Sequence, residues 1–132
     1  MRRPETAAYL EKARQMLDEA RIVAANDLAG AAGRAAYLAA YHSAQAFVFD
    51  ATGRAPKSHS GARSEFARLA RTEPRIDRAF PTFLARAYRL KEYADYAVGH
   101  RPGITVAEAG QAIAIATRFV DAIERILDAD AP

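Results

Sequence analysis

Apolar residues recur every three or four positions along most of this chain, which is the spacing of amphipathic α-helices. The first stripe predicts a helix from about Pro4 to Ala25. No stretch alternates between apolar and polar residues over a useful length, so no β-sheet is expected. The pattern therefore predicts a helical protein.

The segment RAAYLAAYHSAQAFVFDATGRAPKSHSG, from Arg34 to Gly61, joins an apolar helix to a basic loop. Between Ala35 and Phe49 it has no acidic or basic side chain, and a helix that is apolar nearly all round is typically buried. Its polar groups must then be hydrogen-bonded, since an unpaired buried polar group is costly. The segment predicts both a core and a polar site that opens onto the loop. That loop carries Arg54, Lys57 and His59.

A short third helix and a long fourth helix are predicted after this segment. Ser58 or Ser60 is placed to cap a short third helix. Pro81 suits the first position of a fourth helix, which the pattern extends to about Val98.

The last stripe, from Val106 to Leu127, has a clear start signal. Thr105 and Glu108 have the spacing of a capping box, and Asp121 with Arg125 makes an i,i+4 pair on the exposed side. Together the segments predict a single all-α domain over residues 1–132. Its architecture is an antiparallel bundle of four long helices plus one short helix.

Composition narrows the class of protein. A length of 132 residues, of which 51% are hydrophobic, fits one compact domain. The absence of cysteine excludes disulfides and thiolate chemistry. The N-terminal residues lack the apolar stretch of a signal peptide, and the longest uncharged run is too short to span a bilayer. A cytoplasmic location, with no membrane contact, is therefore expected by default.

Basic residues are concentrated between Arg54 and Arg101, where 11 Lys and Arg stand against 5 Asp and Glu. The rest of the chain has 8 against 11. This asymmetry favours a phosphate-bearing partner, although an ordinary Arg-rich solvated surface explains it equally well. The candidate nucleic-acid contacts are Arg54 and Lys57 in the loop and Arg86 and Arg89 on the fourth helix.

Most enzyme signatures are absent from the chain. It has no Gly-rich phosphate loop and no HExxH or GxSxG motif, and its three histidines lack the spacing of metal ligands. We therefore expect neither a metal site nor a cofactor.

Three blocks of the chain resemble the HEPN domains of prokaryotes. RAAYLAAYHSAQAFVF is similar to the family's second helix, and GRAPKSHSGARSEF is similar to the glycine, Pro-Lys-Ser/Thr-His, glycine and later Phe that follow it in one branch. RLKEYADYAVG followed by TVAEAGQAI is similar to that branch's helix ending in Ala-Asp-Tyr, its loop and its long final helix. The blocks lie in order and span most of residues 30–128.

This resemblance implies a helical bundle that usually dimerises. Many members are toxins of toxin–antitoxin pairs and act as metal-independent endoribonucleases through an arginine followed, after four to six residues, by a histidine. Others are partners of minimal nucleotidyltransferases. In the nuclease chemistry the histidine moves protons near neutral pH and the arginine stabilises phosphorane charge.

The motif positions of the family fall here on Lys91 and Tyr96. Lysine keeps the positive charge but lacks the bidentate guanidinium, and tyrosine, with an ordinary pKa of about 10, is a poor base at neutral pH. An arginine and a histidine at the motif's spacing do occur at Arg54 and His59, but in the loop. The candidate catalytic residues are therefore Lys91, Tyr96 and His59, with Arg89 as a second cation for phosphate.

Several polar candidates also have a purely structural explanation. Tyr37 and Tyr41 repeat at helical spacing, where aromatic stripes are usually core, and His42 beside them fits a hydrogen-bonded core histidine. Lys91 falls at a position where its helix expects an apolar residue, and Asp95 one turn later is placed to pair with it.

The function expected from the sequence is the HEPN-like half of a toxin–antitoxin-type pair. It would be a homodimer directed at RNA, with metal-independent cleavage through a degenerate motif. The alternative is a non-catalytic module that binds a minimal nucleotidyltransferase or nucleic acid. Loss of a titratable histidine would disable the ribonuclease and spare the binding module.

Overall fold

The computed structural model describes residues 3–96 and 103–131, and within these ranges it contains five α-helices and no strand. The helices are α1 (Pro4–Ala25), α2 (Ala29–Thr52), α3 (His59–Ala70), α4 (Ala79–Tyr96) and α5 (Val106–Asp130). Four of them are long and α3 is short, so the predicted all-α architecture is confirmed. None of the helices in these ranges has the length and apolar character needed to cross a membrane.

Helix α2 is the centre of the bundle and packs against each of the other four helices. Its residues from Ala35 to Tyr41 are all buried, which is unusual because a surface helix buries only one stripe. Alanine occupies many of these positions and lets the neighbouring helices approach the α2 backbone. The predicted buried central helix is confirmed.

Polar contacts between helix ends show that α1 and α2 run antiparallel, and that α2 and α4 do so too. The Thr6 hydroxyl, near the start of α1, donates to Asp50 near the end of α2 at 3.2 Å. The Arg34 guanidinium, near the start of α2, donates to Asp95 near the end of α4 at 2.8 Å. Helix α3 lies in the connection between α2 and α4, and its first residue, His59, contacts Tyr41 of α2 and Tyr88 of α4.

Asp121 on α5 has a different partner from the predicted Arg125. Arg14 of α1 donates to Asp121 at 2.7 Å, and its other terminal nitrogen pairs with Glu124. A single guanidinium therefore joins two carboxylates one turn apart, a geometry that its two forked nitrogens favour. This contact crosses between helices, so spacing along α5 alone does not reveal it.

Local contacts define three helix ends, two of them at the predicted capping residues. Gly53 ends α2 with a φ of 73°, in the left-handed region that favours glycine, and its N–H donates to the Phe49 carbonyl. Ser58 caps α3 by accepting from the Gly61 N–H at 2.9 Å. At α5 the capping box between Thr105 and Glu108 is complete.

Helix α4 begins at Ala79, two residues before the predicted start at Pro81. The Asp77 carboxylate accepts from the Ala79 N–H at 2.8 Å and so supplies the cap. Proline is tolerated at the third helical position because the first N–H groups of a helix have no intrahelical acceptor. The predicted end at Val98 lies outside the described residues.

Candidate functional site

The start of α3 brings His59 against the centre of the bundle. Because Ser58 is the N-cap, His59 is the first residue of α3, and its prediction as a loop residue was wrong. Its imidazole stacks on the Tyr41 ring, with centroids 4.1 Å apart and ring planes 18° from parallel. The histidine is half-buried and is held by packing on α2.

Side chains from three helices surround this imidazole, and we call the group the His59 cluster. Its members are Tyr37 and Tyr41 of α2, His59 and Arg63 of α3, and Tyr88 of α4. The fully buried Tyr37 hydroxyl lies 2.9 Å from Nδ1 of His59 and accepts from an Arg63 guanidinium N–H at 3.5 Å. The same guanidinium lies over the Tyr88 ring, 4.1 Å from its centroid, in cation–π geometry.

Burial and nearby positive charge determine the protonation of the cluster. Burial lowers the pKa of His59, and the positive charges of Lys91 and Arg63 lower it further. Burial raises the pKa of Tyr37 to about 12. At neutral pH the imidazole is therefore mainly neutral and the Tyr37 phenol is protonated.

Lys91 of α4 lies next to the cluster in an ion-pair triad with Asp95 and Arg34. The Lys91 ammonium donates to one carboxylate oxygen of Asp95 and the Arg34 guanidinium donates to the other, both at 2.8 Å. The Lys91 side chain is only 15% exposed. Hydrogen bonds to Lys91 and then Arg34 lower the pKa of Asp95, and the bond to Asp95 raises the pKa of Lys91. One carboxylate thus stands between two cations, and the triad keeps a net positive charge.

Tyr96, the other candidate at the motif positions, is at the end of α4 and is 69% exposed. The Lys91 ammonium lies 5.7 Å from the centroid of its ring. The structure therefore brings Lys91 close to Tyr96 and into the electrostatic surroundings of His59. Lys91 therefore links the two other candidates, although the contacts of Tyr96 and of His59 are made at different places along α4.

Arg86 and Arg89 are exposed on the outer face of α4. At roughly 3.6 residues per turn they lie on the side of the helix opposite Leu84, Ala87 and Lys91, which face the bundle. These two cations are thus separated from the His59 cluster by the thickness of α4.

Arg54 and Lys57 are exposed in the connection between α2 and α3. Arg54 lines a surface groove of about 590 Å³ whose other lining residues include Thr52 and Arg68. This groove does not include any member of the His59 cluster. The four predicted nucleic-acid contacts therefore divide into two places, the α2–α3 connection and the outer face of α4.

His42 makes a separate local network on α2. Its Nδ1 lies 2.7 Å from the Gln45 side-chain oxygen, and the Gln45 amide donates to the Tyr41 hydroxyl at 3.4 Å. Burial lowers the pKa of His42. These contacts give the polar groups of an apolar helix their partners, as a structural role requires.

Sequence reasoning missed three residues of this region: Arg63, Tyr88 and Glu92. A hydrogen bond with Glu92, one turn later on α4, raises the pKa of Tyr88. A signal for Arg63 was present, because a helix that starts at His59 puts Arg63 one turn later on the same face. Placing His59 in a loop concealed that relation.

No group of three or more His, Cys, Asp or Glu in residues 3–96 and 103–131 is placed to hold a metal ion. The side chains that this region offers are an imidazole, phenols, a guanidinium and an ammonium. Such groups bind anions, stack on planar ligands and exchange protons.

Comparisons with known proteins agree with this architecture. Residues 6–126 match the model of the HEPN domain. A protein of Methanocaldococcus jannaschii named "Putative toxin MJ0605" is 33% identical over 125 residues, which cover 95% of this chain and 90% of that protein. The match extends over nearly all of the bundle, including each helix of the His59 cluster. This chain therefore belongs to the HEPN family.

Proposed function

We propose that this chain is the RNA-directed half of a toxin–antitoxin-type pair and that RNA contacts it at the His59 cluster and Lys91. The observation that carries the proposal is the convergence of His59, Arg63 and Lys91 from two helices onto one partly open region. The name of the archaeal relative supports the toxin side of the proposal.

The chemistry of the region suits single-stranded RNA. Cations beside an aromatic surface hold the phosphate backbone, while the exposed ring of Tyr96 offers a face on which a base stacks. The excess positive charge of the triad adds attraction for phosphate. RNA binding at this place requires neither a metal ion nor a cofactor.

The proposal also includes metal-independent cleavage of RNA, which we expect to be slow. In this reaction the 2′-oxygen of the ribose attacks the neighbouring phosphorus and displaces the 5′-oxygen, leaving a 2′,3′-cyclic phosphate. A base removes the 2′ proton and an acid protonates the leaving oxygen. Lys91 would stabilise the phosphorane charge, but it is already paired with Asp95. His59 or Tyr96 would move the protons, and Nδ1 of His59 is already hydrogen-bonded.

The test uses labelled single-stranded RNA in the presence of a chelator, with binding and cleavage measured separately. We expect Lys91→Ala to weaken binding by about tenfold, while Lys12→Ala, an exposed lysine on α1, leaves it unchanged. His59→Gln and His59→Asn form a second matched pair. The glutamine amide stands where Nε2 was, and the asparagine amide stands where Nδ1 was. Equal RNA affinity in Lys91→Ala and Lys12→Ala would remove the region as an RNA site.

We also propose that the chain is a homodimer. Exposed apolar side chains support this, because they collect where α1 and α4 end and α2 and α5 begin. They are Ile22, Leu28, Tyr96 and Val106. Light scattering at micromolar concentration should give twice the monomer mass, and Ile22→Lys with Leu28→Lys should give the monomer. A wild-type monomer under these conditions contradicts the dimer.

The second candidate function is a non-catalytic module that binds a minimal nucleotidyltransferase. The ion-pair triad favours it, because a lysine paired with a carboxylate is less available to a reacting phosphate. Co-expression with a minimal nucleotidyltransferase should then give a stable complex. In that case the wild type would show no chelator-resistant cleavage, and His59→Gln would bind the partner normally.

A further inference from the structure

We propose that Tyr37 is a positioning residue that fixes the tautomer of His59 with its proton on Nε2, the hydrogen-bond donor that the imidazole then offers to a ligand. The geometry of the His59 cluster carries this inference. The relevance of this tautomer to RNA binding rests on the proposed function. The tautomer itself is inferred independently of that function.

The direction of the hydrogen bond follows from the surroundings of the Tyr37 hydroxyl. Its oxygen already accepts from Arg63, whose guanidinium can only donate. The hydroxyl is fully buried, so its proton requires an acceptor. In the described residues that acceptor is Nδ1 of His59, at 2.9 Å. The neutral imidazole must therefore carry its proton on Nε2.

Ring packing keeps the imidazole in this orientation. Tyr41 stacks on one face at 4.1 Å between centroids, while the rings of Tyr37 and Tyr88 lie 5.8 and 5.5 Å away. A flip of the imidazole would take Nδ1 away from the Tyr37 hydroxyl and leave that buried proton without an acceptor. Stacking and hydrogen bonding thus select the same orientation.

The charges around His59 reinforce the neutral form. The titratable and charged groups that face it are Tyr37, Tyr41 and His42 of α2, Arg63 of α3, and Tyr88, Lys91 and Glu92 of α4. Lys91, Arg63 and His42 disfavour the imidazolium, and Glu92 favours it more weakly. A neutral imidazole with a fixed Nε2–H recognises an acceptor atom, such as a phosphate oxygen, without adding charge.

The chain offers a matched pair of variants for the test. Tyr37→Phe removes the hydroxyl that contacts His59, while Tyr41→Phe removes a hydroxyl that contacts Gln45 and keeps the stacked ring. The tautomer and the pKa of His59 are read from the imidazole nitrogen resonances during an NMR titration of the full chain. Circular dichroism checks that each variant is folded.

We expect the wild type and Tyr41→Phe to show His59 protonated on Nε2. In Tyr37→Phe the two tautomers should mix, and the His59 pKa should rise by about half a unit to one unit, because a donor that stabilised the neutral ring is lost. Arg63→Gln should also weaken the tautomer preference, since the Tyr37 oxygen is then free to accept from His59. An unchanged tautomer in both Tyr37→Phe and Arg63→Gln would overturn the inference.

An RNA measurement separates this inference from the proposed function. If both hold, Tyr37→Phe binds single-stranded RNA several-fold more weakly than Tyr41→Phe at pH 7. If the tautomer changes in Tyr37→Phe but RNA affinity does not, the positioning role stands and the proposed RNA site fails.

Discussion

The carboxylate of Asp95 pairs two cations that come from different helices, and a single substitution tests its value. Asp95→Asn leaves the half-buried Lys91 and Arg34 without a counter-charge. We expect the free energy of unfolding to fall by about 1–3 kcal/mol, because an unpaired, partly buried charge is costly. Urea denaturation at pH 7 measures the change.

Asp18→Asn is the matched control for this substitution. The Asp18 side chain is 74% exposed and its partner Arg21 is 50% exposed, at 3.5 Å. Exposed pairs contribute little, so its loss should change stability by at most about 0.5 kcal/mol. Equal losses in the two variants would mean that the triad is only a surface ion pair.

Sequence spacing predicts a contact between residues at this scale only when both lie on one helix. The pairing of Lys91 with Asp95 was foreseen from its i,i+4 spacing, and the structure contains it. The contacts of Arg34 with Asp95 and of Tyr37 with His59 cross between helices. These contacts depend on how α2, α3 and α4 pack against one another, and local sequence patterns do not predict that packing.

At the scale of the helices, the end of α2 depends on one glycine. Gly53 has a φ of 73°, where a side chain is strained. Gly53→Ala should therefore lower the free energy of unfolding by about 1 kcal/mol. Thermal or urea denaturation measures this cost.

Gly30→Ala, at the other end of the same helix, is the matched comparison. A Cβ added there meets no atom within 4 Å, and Gly30 has no positive φ. Because alanine is the better helix former, stability should stay level or rise by up to about 1 kcal/mol. A loss as large as that of Gly53→Ala would show that conformational strain is not the cause.

Helix existence and type were predictable because periodicity and capping are local properties of the chain. The starts of α1, α3 and α5 agree with their predicted signals. Helix α4 starts two residues before Pro81, because the Asp77 carboxylate caps the helix at Ala79. Had Ser58 been predicted as the only cap of α3, His59 would have been placed on the helix. Arg63, one turn later, would then have been predicted to lie on the same face as His59.

At the scale of the whole molecule, the two half-buried histidines make stability depend on pH. The pKa values of His59 and His42 are lowered by burial, so the unfolded chain binds protons more readily than the folded one. Their stabilising contribution is complete above the unfolded value of about 6.5 and is lost as pH falls through the folded values. Urea unfolding should give nearly equal stabilities at pH 8 and 7 and lower stabilities at pH 6 and 5.

Substitution of a histidine identifies the source of this dependence. His59→Asn should flatten the decline between pH 7 and 5, while Lys57→Gln, an exposed neighbour, should keep the wild-type slope. Carboxylates with a lowered pKa, such as Asp95, lose their stabilising contribution only below about pH 4. They therefore do not affect the slope between pH 7 and 5. Identical slopes in all three proteins would contradict the assignment.

The distribution of charge over the molecule gives a last prediction. If the basic residues between Arg54 and Arg101 attract RNA, reversing Arg86 and Arg89 to Glu should weaken RNA binding and reduce the salt dependence of that binding. The control reverses Arg118 and Arg125, two exposed arginines of α5. Arg14 is unsuitable as a control because its ion pairs join α1 to α5. Equal effects from the two double variants would show that attraction is general and not confined to α4.

The stacking of Tyr37, Tyr41 and Tyr88 around one imidazole also gives the protein an optical signal of its own. The chain has no tryptophan and 6 tyrosines, and these three of them surround His59. Rigid, closely packed rings are the main source of near-ultraviolet circular dichroism, so a large part of that spectrum should originate here. A ligand that engages His59 will then be visible without any attached label, in the absorption of the residues that hold it.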